Sequence, residues 1–151
     1  MNRSAENKVE SSRGAAVLLV EEDRGYLEFL RTVIQGTGHK VHACDSYSEG
    51  ICQLQSGAYD IVVVGQGSPS FEGWCVLGSA ATFDRRLPVV VVARHAEMRC
   101  YLEAMQSGAV DYLAEPFVGA DMSRVMQKYA RHRSMNGPRP SAAAIPLAHA
   151  A

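Results

Sequence analysis

The chain lacks an excess of either charge, with 15 Lys and Arg against 16 Asp and Glu, and it is poor in aromatic residues, 7% with a single tryptophan. The near-neutral balance leaves no global field to hold nucleic acid or an anionic membrane, so no direct nucleic-acid contact is expected from this chain. Long apolar runs are also missing. The longest, Ala15 to Val20 and Leu87 to Ala93, fall far short of the roughly 20 residues that span a bilayer, which excludes a membrane-spanning helix. The stretch from Met1 to Gly14 is polar and has no apolar segment of the secretory kind, so a cytoplasmic location is expected. The four cysteines, Cys44, Cys52, Cys75 and Cys100, are 8, 23 and 25 residues apart. Those spacings match neither a zinc knuckle nor a CxxC redox pair, and the thiols are expected to be reduced.

What is present fits one ordinary domain: 151 residues, of which 47% are apolar, enough to build a single core. Charge is unevenly placed. From Met122 onward there are five basic residues, Arg124, Lys128, Arg131, Arg133 and Arg139, and no acid, a pattern read as a solvated helix face running into a tail. Three regions are expected: residues 1–14 as a disordered N-terminal segment, 15–133 as the folded domain, and 134–151 as a disordered Ala- and Pro-rich tail or linker stub.

Within the folded region, short β-branched runs alternate with amphipathic stretches. Ala16 to Val20, Lys40 to Cys44, Ile61 to Val64, Pro88 to Ala93 and Asp111 to Leu113 read as strands. Tyr26, Leu27, Leu30, Val33 and Ile34 recur at helical spacing until Gly36 and Gly38. Ser46 with Glu49 forms a capping box that opens a second helix. Further helices are predicted near Trp74 to Ala81, over Glu97 to Ser107 and over Asp121 to Arg133. Five such units imply an α/β, doubly wound, five-stranded parallel sheet with helices on both faces. A functional site belongs at the C-terminal ends of its strands, after Val20, Val64, Val92 and Leu113.

The segments VLLVEED (Val17 to Asp23), YDIVVVGQGSPSFEG (Tyr59 to Gly73), LPVVVVA (Leu87 to Ala93) and SGAVDYLAEPF (Ser107 to Phe117) resemble the receiver domain of two-component response regulators. The resemblance runs from about Ala15 to Arg133. It implies an acidic pair that holds a divalent cation, an acceptor Asp after the third strand, a Ser or Thr after the fourth and a Lys after the fifth. The acidic pair falls on Glu21 and Glu22, but the other three positions are Gly65, Ala93 and Glu115. Glycine has no nucleophile, alanine no hydrogen bond to give, and glutamate repels the phosphoryl group that lysine would neutralise. Asp60 lies about 16 Å away along the strand, too far to substitute. Tyr112 takes the place of the family's switch aromatic, with no hydroxyl at Ala93 to follow, and is expected to hold one rotamer. Pro116 resembles the family's cis proline.

The expected function is therefore a degenerate receiver, a pseudo-receiver that signals by protein contact without phosphotransfer and is not an enzyme. The resemblance puts its docking or homodimerisation surface on the fourth helix, fifth strand and fifth helix, including Met98, Tyr101, Leu102, Met105 and Tyr112. Arg94 is expected to neutralise the acids by an internal ion pair with Glu115, or with Glu21 or Glu22. No cofactor is expected, and the internal pair is favoured over a weak magnesium site at Glu21, Glu22 and Glu115. Two other functions stay open: a phosphorelay receiver with an unusual acceptor, and a small-ligand or metal sensor at the acidic crevice. A DNA-binding regulator ranks below these and would need an output domain beyond a truncated linker. His95 reads as a surface residue, Cys44, Cys52 and Cys75 as small buried side chains, and Cys100, near a helix start, as the one thiol with a reason for a lowered pKa, although a core place is favoured for it too.

Overall fold

The computed structural model describes residues 14–135. Their chain order is β1 (Ala16–Val20), α1 (Arg24–Gly36), β2 (Lys40–Cys44), α2 (Tyr47–Leu54), β3 (Ile61–Gly65), α3 (Trp74–Phe83), β4 (Val89–Ala93), α4 (Met98–Gln106), β5 (Asp111–Ala114) and α5 (Gly119–Met135). Both flanking regions expected to be disordered lie outside the described residues, apart from Gly14, Ser134 and Met135.

Strand composition sets the sheet. All five strands are parallel, in the order β2-β1-β3-β4-β5. The unbroken apolar runs of β3 and β4 are buried at every position, as strands covered on both faces must be. Period-two alternation then divides the core. Leu18, Val20, Val62, Val64, Val89 and Val91 face α2, α3 and α4, and Val17, Leu19, Ile61, Val63, Val90 and Val92 face α1 and α5. The order reverses between β1 and β3, so the ends of these two strands flank the crevice where doubly wound sheets bind ligands.

Helix ends follow their capping chemistry. The Asp23 side chain accepts from Tyr26 N at 2.8 Å to open α1, and Ser46 accepts from Glu49 N at 3.2 Å to open α2. α3 runs past Ala81 to Phe83 before Asp84 turns to extended backbone. Pro88 precedes β4, its carbonyl accepting from Val62 N at 2.9 Å. α5 begins two residues before Asp121 and ends two beyond Arg133.

The cysteines depart from expectation. Cys44 and Cys100 are buried, but Cys52 and Cys75 are exposed. The buried phase of α2 runs through Tyr47, Gly50 and Leu54 and that of α3 through Val76, Leu77 and Ala80, which turns both thiols outward. Cys100 is fully buried. This is the core place favoured for it: burial raises its thiol pKa and outweighs neighbouring Arg99, so the alternative of a lowered value does not hold.

Candidate functional site at the strand ends

β1 delivers Glu21, Glu22 and Asp23 to the crevice, and the three residues have separate fates. Glu22 is exposed. Glu21 is 5% exposed, and its Oε1 accepts from Asp23 N at 3.1 Å. Its other oxygen reaches over the end of β3: a Cβ built on Gly65 would stand 1.7 Å from Glu21 Oε2 and 2.7 Å from Cδ. The Glu21 carboxylate thus fills the space that a side chain at position 65 would need. Burial raises its pKa, partly offset by the Asp23 amide and by Arg94.

Arg94, exposed at the end of β4, places Nη2 2.6 Å from Asp23 Oδ1, and its guanidinium lies 4.6 Å from the centre of the Tyr26 ring. This corrects the expected pair with Glu115, Glu21 or Glu22. Asp23 wins because its cap of α1 already fixes its carboxylate at the crevice rim. That backbone hydrogen bond, reinforced by Arg94, holds its pKa below the usual carboxylate range. Both members of the pair are about half exposed, at 47% and 52%. The buried Tyr26 phenol has its pKa raised first by burial and then by Glu115 and Glu21, with Arg94 opposing. The Tyr26 ring, not a direct Arg94–Glu115 contact, occupies the centre of this charged group.

β3 ends on Gly65, whose carbonyl accepts from Tyr47 Oη at 3.2 Å. Beyond it Gln66 is 2% exposed and anchored by its amide to Val92 O at 2.8 Å. The Tyr112 hydroxyl donates to Gln66 Oε1 and accepts from Glu97 N at 3.3 Å, tying β5 to the β3 end and the start of α4. Ala93 is 1% exposed and offers a methyl group. Glu115 follows β5, half-buried, with its amide on Ala93 O at 2.8 Å and a cis peptide bond to Pro116. Across the crevice, Glu72 accepts from Ser68 N at 2.7 Å and Ser68 Oγ at 2.6 Å, which lowers its pKa.

The resulting cleft, about 220 Å³, is lined by Glu21, Glu22, Asp23, Glu72 and Arg94 among others. Glu21, Glu22 and Glu115 do not bring three carboxylates close enough to share one ion among the described residues. Sequence reasoning located the crevice and placed Asp23 and Gln66 at the strand ends that form it, but it gave neither a partner there and read Tyr26 only as a helix position. The cap position of Asp23 was the available signal; nothing in the sequence pairs Gln66 with Tyr112.

A second group lies on α4. Met98 is 71% exposed, Tyr101 42%, Leu102 48% and Met105 38%, while Cys100 and Ala104 take the inward face. Tyr101 meets the half-buried Tyr112 ring edge-on with centroids 5.6 Å apart. His95 is exposed beside this helix.

The profile of the response regulator receiver domain matches residues 17–127. The chain is 27% identical over 125 residues to the KDP operon transcriptional regulatory protein KdpE of Escherichia coli, covering 82% of this chain and 55% of that protein. It is 33% identical over 118 residues to the response regulator protein FleR of Pseudomonas aeruginosa, covering 78% and 24%. The chain thus spans about half or less of the length of these relatives. A receiver domain protein from Clostridium thermocellum superimposes with a TM-score of 0.73 at 20% identity, over 80% of this chain and 98% of that one. No helix among the described residues is long and apolar enough to cross a membrane. Strand order, crevice and sequence match agree, and the chain belongs to the response regulator receiver domain family.

Proposed function

We propose that this receiver domain takes no phosphoryl group and works in two-component signalling by protein contact alone. The observation that carries the reading is the Glu21 carboxylate lying over Gly65, where an acceptor side chain would have to stand. A negative group already fills the position, glycine supplies no nucleophile, and Glu115 adds negative charge at the end of β5. The donor set does not fit the divalent ion of a phosphoryl-accepting site either. One Glu21 oxygen is engaged by the Asp23 amide, and Gly65 contributes no carboxylate.

The exposed face of α4 supports the second half of the reading. Met98, Tyr101, Leu102 and Met105 put adaptable apolar side chains on one surface beside Tyr112, suited to a protein partner or a second copy of the chain. The test of phosphotransfer is incubation with acetyl phosphate and magnesium followed by intact mass measurement. No adduct is expected, and a stable gain of one phosphate overturns the reading.

A further inference from the structure

β2 is an edge strand, and its alternate residues His42 and Cys44 project to the face covered by α2, α3 and α4. Cys44, 1% exposed, joins the core there, while His42 stays exposed with its ring 6.0 Å from that of Tyr59. The chain then turns through Asp45 and Ser46 into α2. Ser46 makes its half of the capping box, but among the described residues the Glu49 carboxylate does not return the bond to Ser46 N. It lies instead beside β2. One imidazole nitrogen, the thiol and one carboxylate oxygen of His42, Cys44 and Glu49 all lie within 4.8 Å of one another.

We propose that His42, Cys44 and Glu49 bind a divalent ion of the zinc class, with water or a partner's side chain as the fourth ligand. Sulfur and imidazole donors favour zinc and its neighbours over magnesium and calcium, which take all-oxygen shells. A thiolate, a carboxylate and a neutral imidazole together carry two negative charges, matching the ion. Tetrahedral zinc would set these donors about 3.5 Å apart, so the group must close by about 1 Å. The exposed side chains of His42 and Glu49 can do this by rotation while Cys44 stays in place.

Cys44 places its thiol beside both of the other donors. Burial, with the charges of Glu49 and Asp45, pushes its thiol up to about 11. His42 on its own strand and Tyr59 before β3 are the other titratable groups facing it, and Asp45 is paired with Arg24 at 3.4 Å. An incoming ion displaces the thiol proton to solvent and forms the metal–sulfur bond.

The full chain carrying Cys52→Ser and Cys75→Ser, which removes the two exposed thiols, is titrated with cobalt(II) as the optical probe. The expected result is a thiolate-to-cobalt charge-transfer band that saturates at one equivalent and is erased by zinc. Cys44→Ser should abolish it. His42→Ala and Glu49→Gln, both exposed and outside the core, should each weaken binding by at least about tenfold. Absence of the band, its survival in Cys44→Ser, or its indifference to His42→Ala overturns the proposal. The His42 variant decides the matter even where the Cys44 variant fails to fold.

Discussion

Gly65 has no side chain, and Glu21 reaches into the space one would need, with Oε2 1.7 Å from where a Cβ would stand. In a strand, alanine normally improves on glycine by about 0.5–1 kcal/mol. Here the sign should reverse: Gly65→Ala is expected to destabilise by about 1–3 kcal/mol, because the methyl group must expel a buried carboxylate from its hydrogen bond. In a Glu21→Ala background the same change should cost nothing, and a urea-unfolding double-mutant cycle measures the coupling. Additive effects would show that the two residues are independent. The Glu21 pKa is also raised by burial, so its ionised form is disfavoured in the folded state. Stability is therefore lost as pH rises from the unfolded value of 4.5 through the higher folded value. Glu21→Gln should raise the melting temperature at pH 7, and the advantage should vanish as the pH falls below 4.5, a trend that thermal scans across pH will check. Arg94 has a smaller part. Its stacking on Tyr26 is worth about 0.5–1 kcal/mol, and its Asp23 pair is open to solvent and screened by salt.

Tyr112 shows how separate elements are joined. Its hydroxyl bridges the Gln66 side chain after β3 and the Glu97 amide at the start of α4, while its ring rests against Tyr101. Tyr112→Phe removes both hydrogen bonds and leaves a buried amide oxygen short of its donor, at an expected cost of about 1–3 kcal/mol. Hydrogen exchange at the Glu97 amide should quicken, and an unchanged rate would mean that the bond to the hydroxyl does not hold the helix start. Such joints mark where sequence reading stops. The periodicity of Leu27, Leu30 and Ile34, the Ser46 cap and the Val runs of β3 and β4 carried the architecture into the sequence, since each is a local pattern. The residues 21 and 65 meet through the pairing of β1 with β3, and 66 and 112 through β4, which pairs with both β3 and β5; none of these pairings has a local signature. Charge counting alone nominated Arg94 for Glu115 and could not weigh the cap that made Asp23 the nearer partner.

Across the whole molecule, the site draws on the ends of β1, β3, β4 and β5 at once, and on the proposed reading phosphotransfer is expected to need changes at more than one of them. Gly65→Asp alone should accept no phosphoryl group, since Glu21 fills the space and Glu115 repels the ligand. Combining Gly65→Asp with Glu115→Lys supplies nucleophile and counter-charge, and adding Glu21→Asp shortens the obstructing side chain. Intact mass after acetyl phosphate treatment should show an adduct in the triple variant and none in the single one; an adduct on Gly65→Asp alone would contradict the role given to Glu21. Leu102→Glu, at a position already 48% exposed, should change the unfolding free energy by no more than about 0.5 kcal/mol. It should also abolish any self-association seen by sedimentation of the unmutated chain.

The contact between Glu21 and Gly65 also bears on history. A lineage that carries the longer acid at the end of β1 and glycine at the end of β3 can regain a side chain at the second position only if the Glu21 carboxylate swings out of the space it fills, giving up its hydrogen bond to the Asp23 amide. Shortening the acid first opens a hole above the glycine and gives no chemistry in return. Among natural receivers the two positions should change together, with glutamate at the first found far more often when the second is glycine than when it is aspartate.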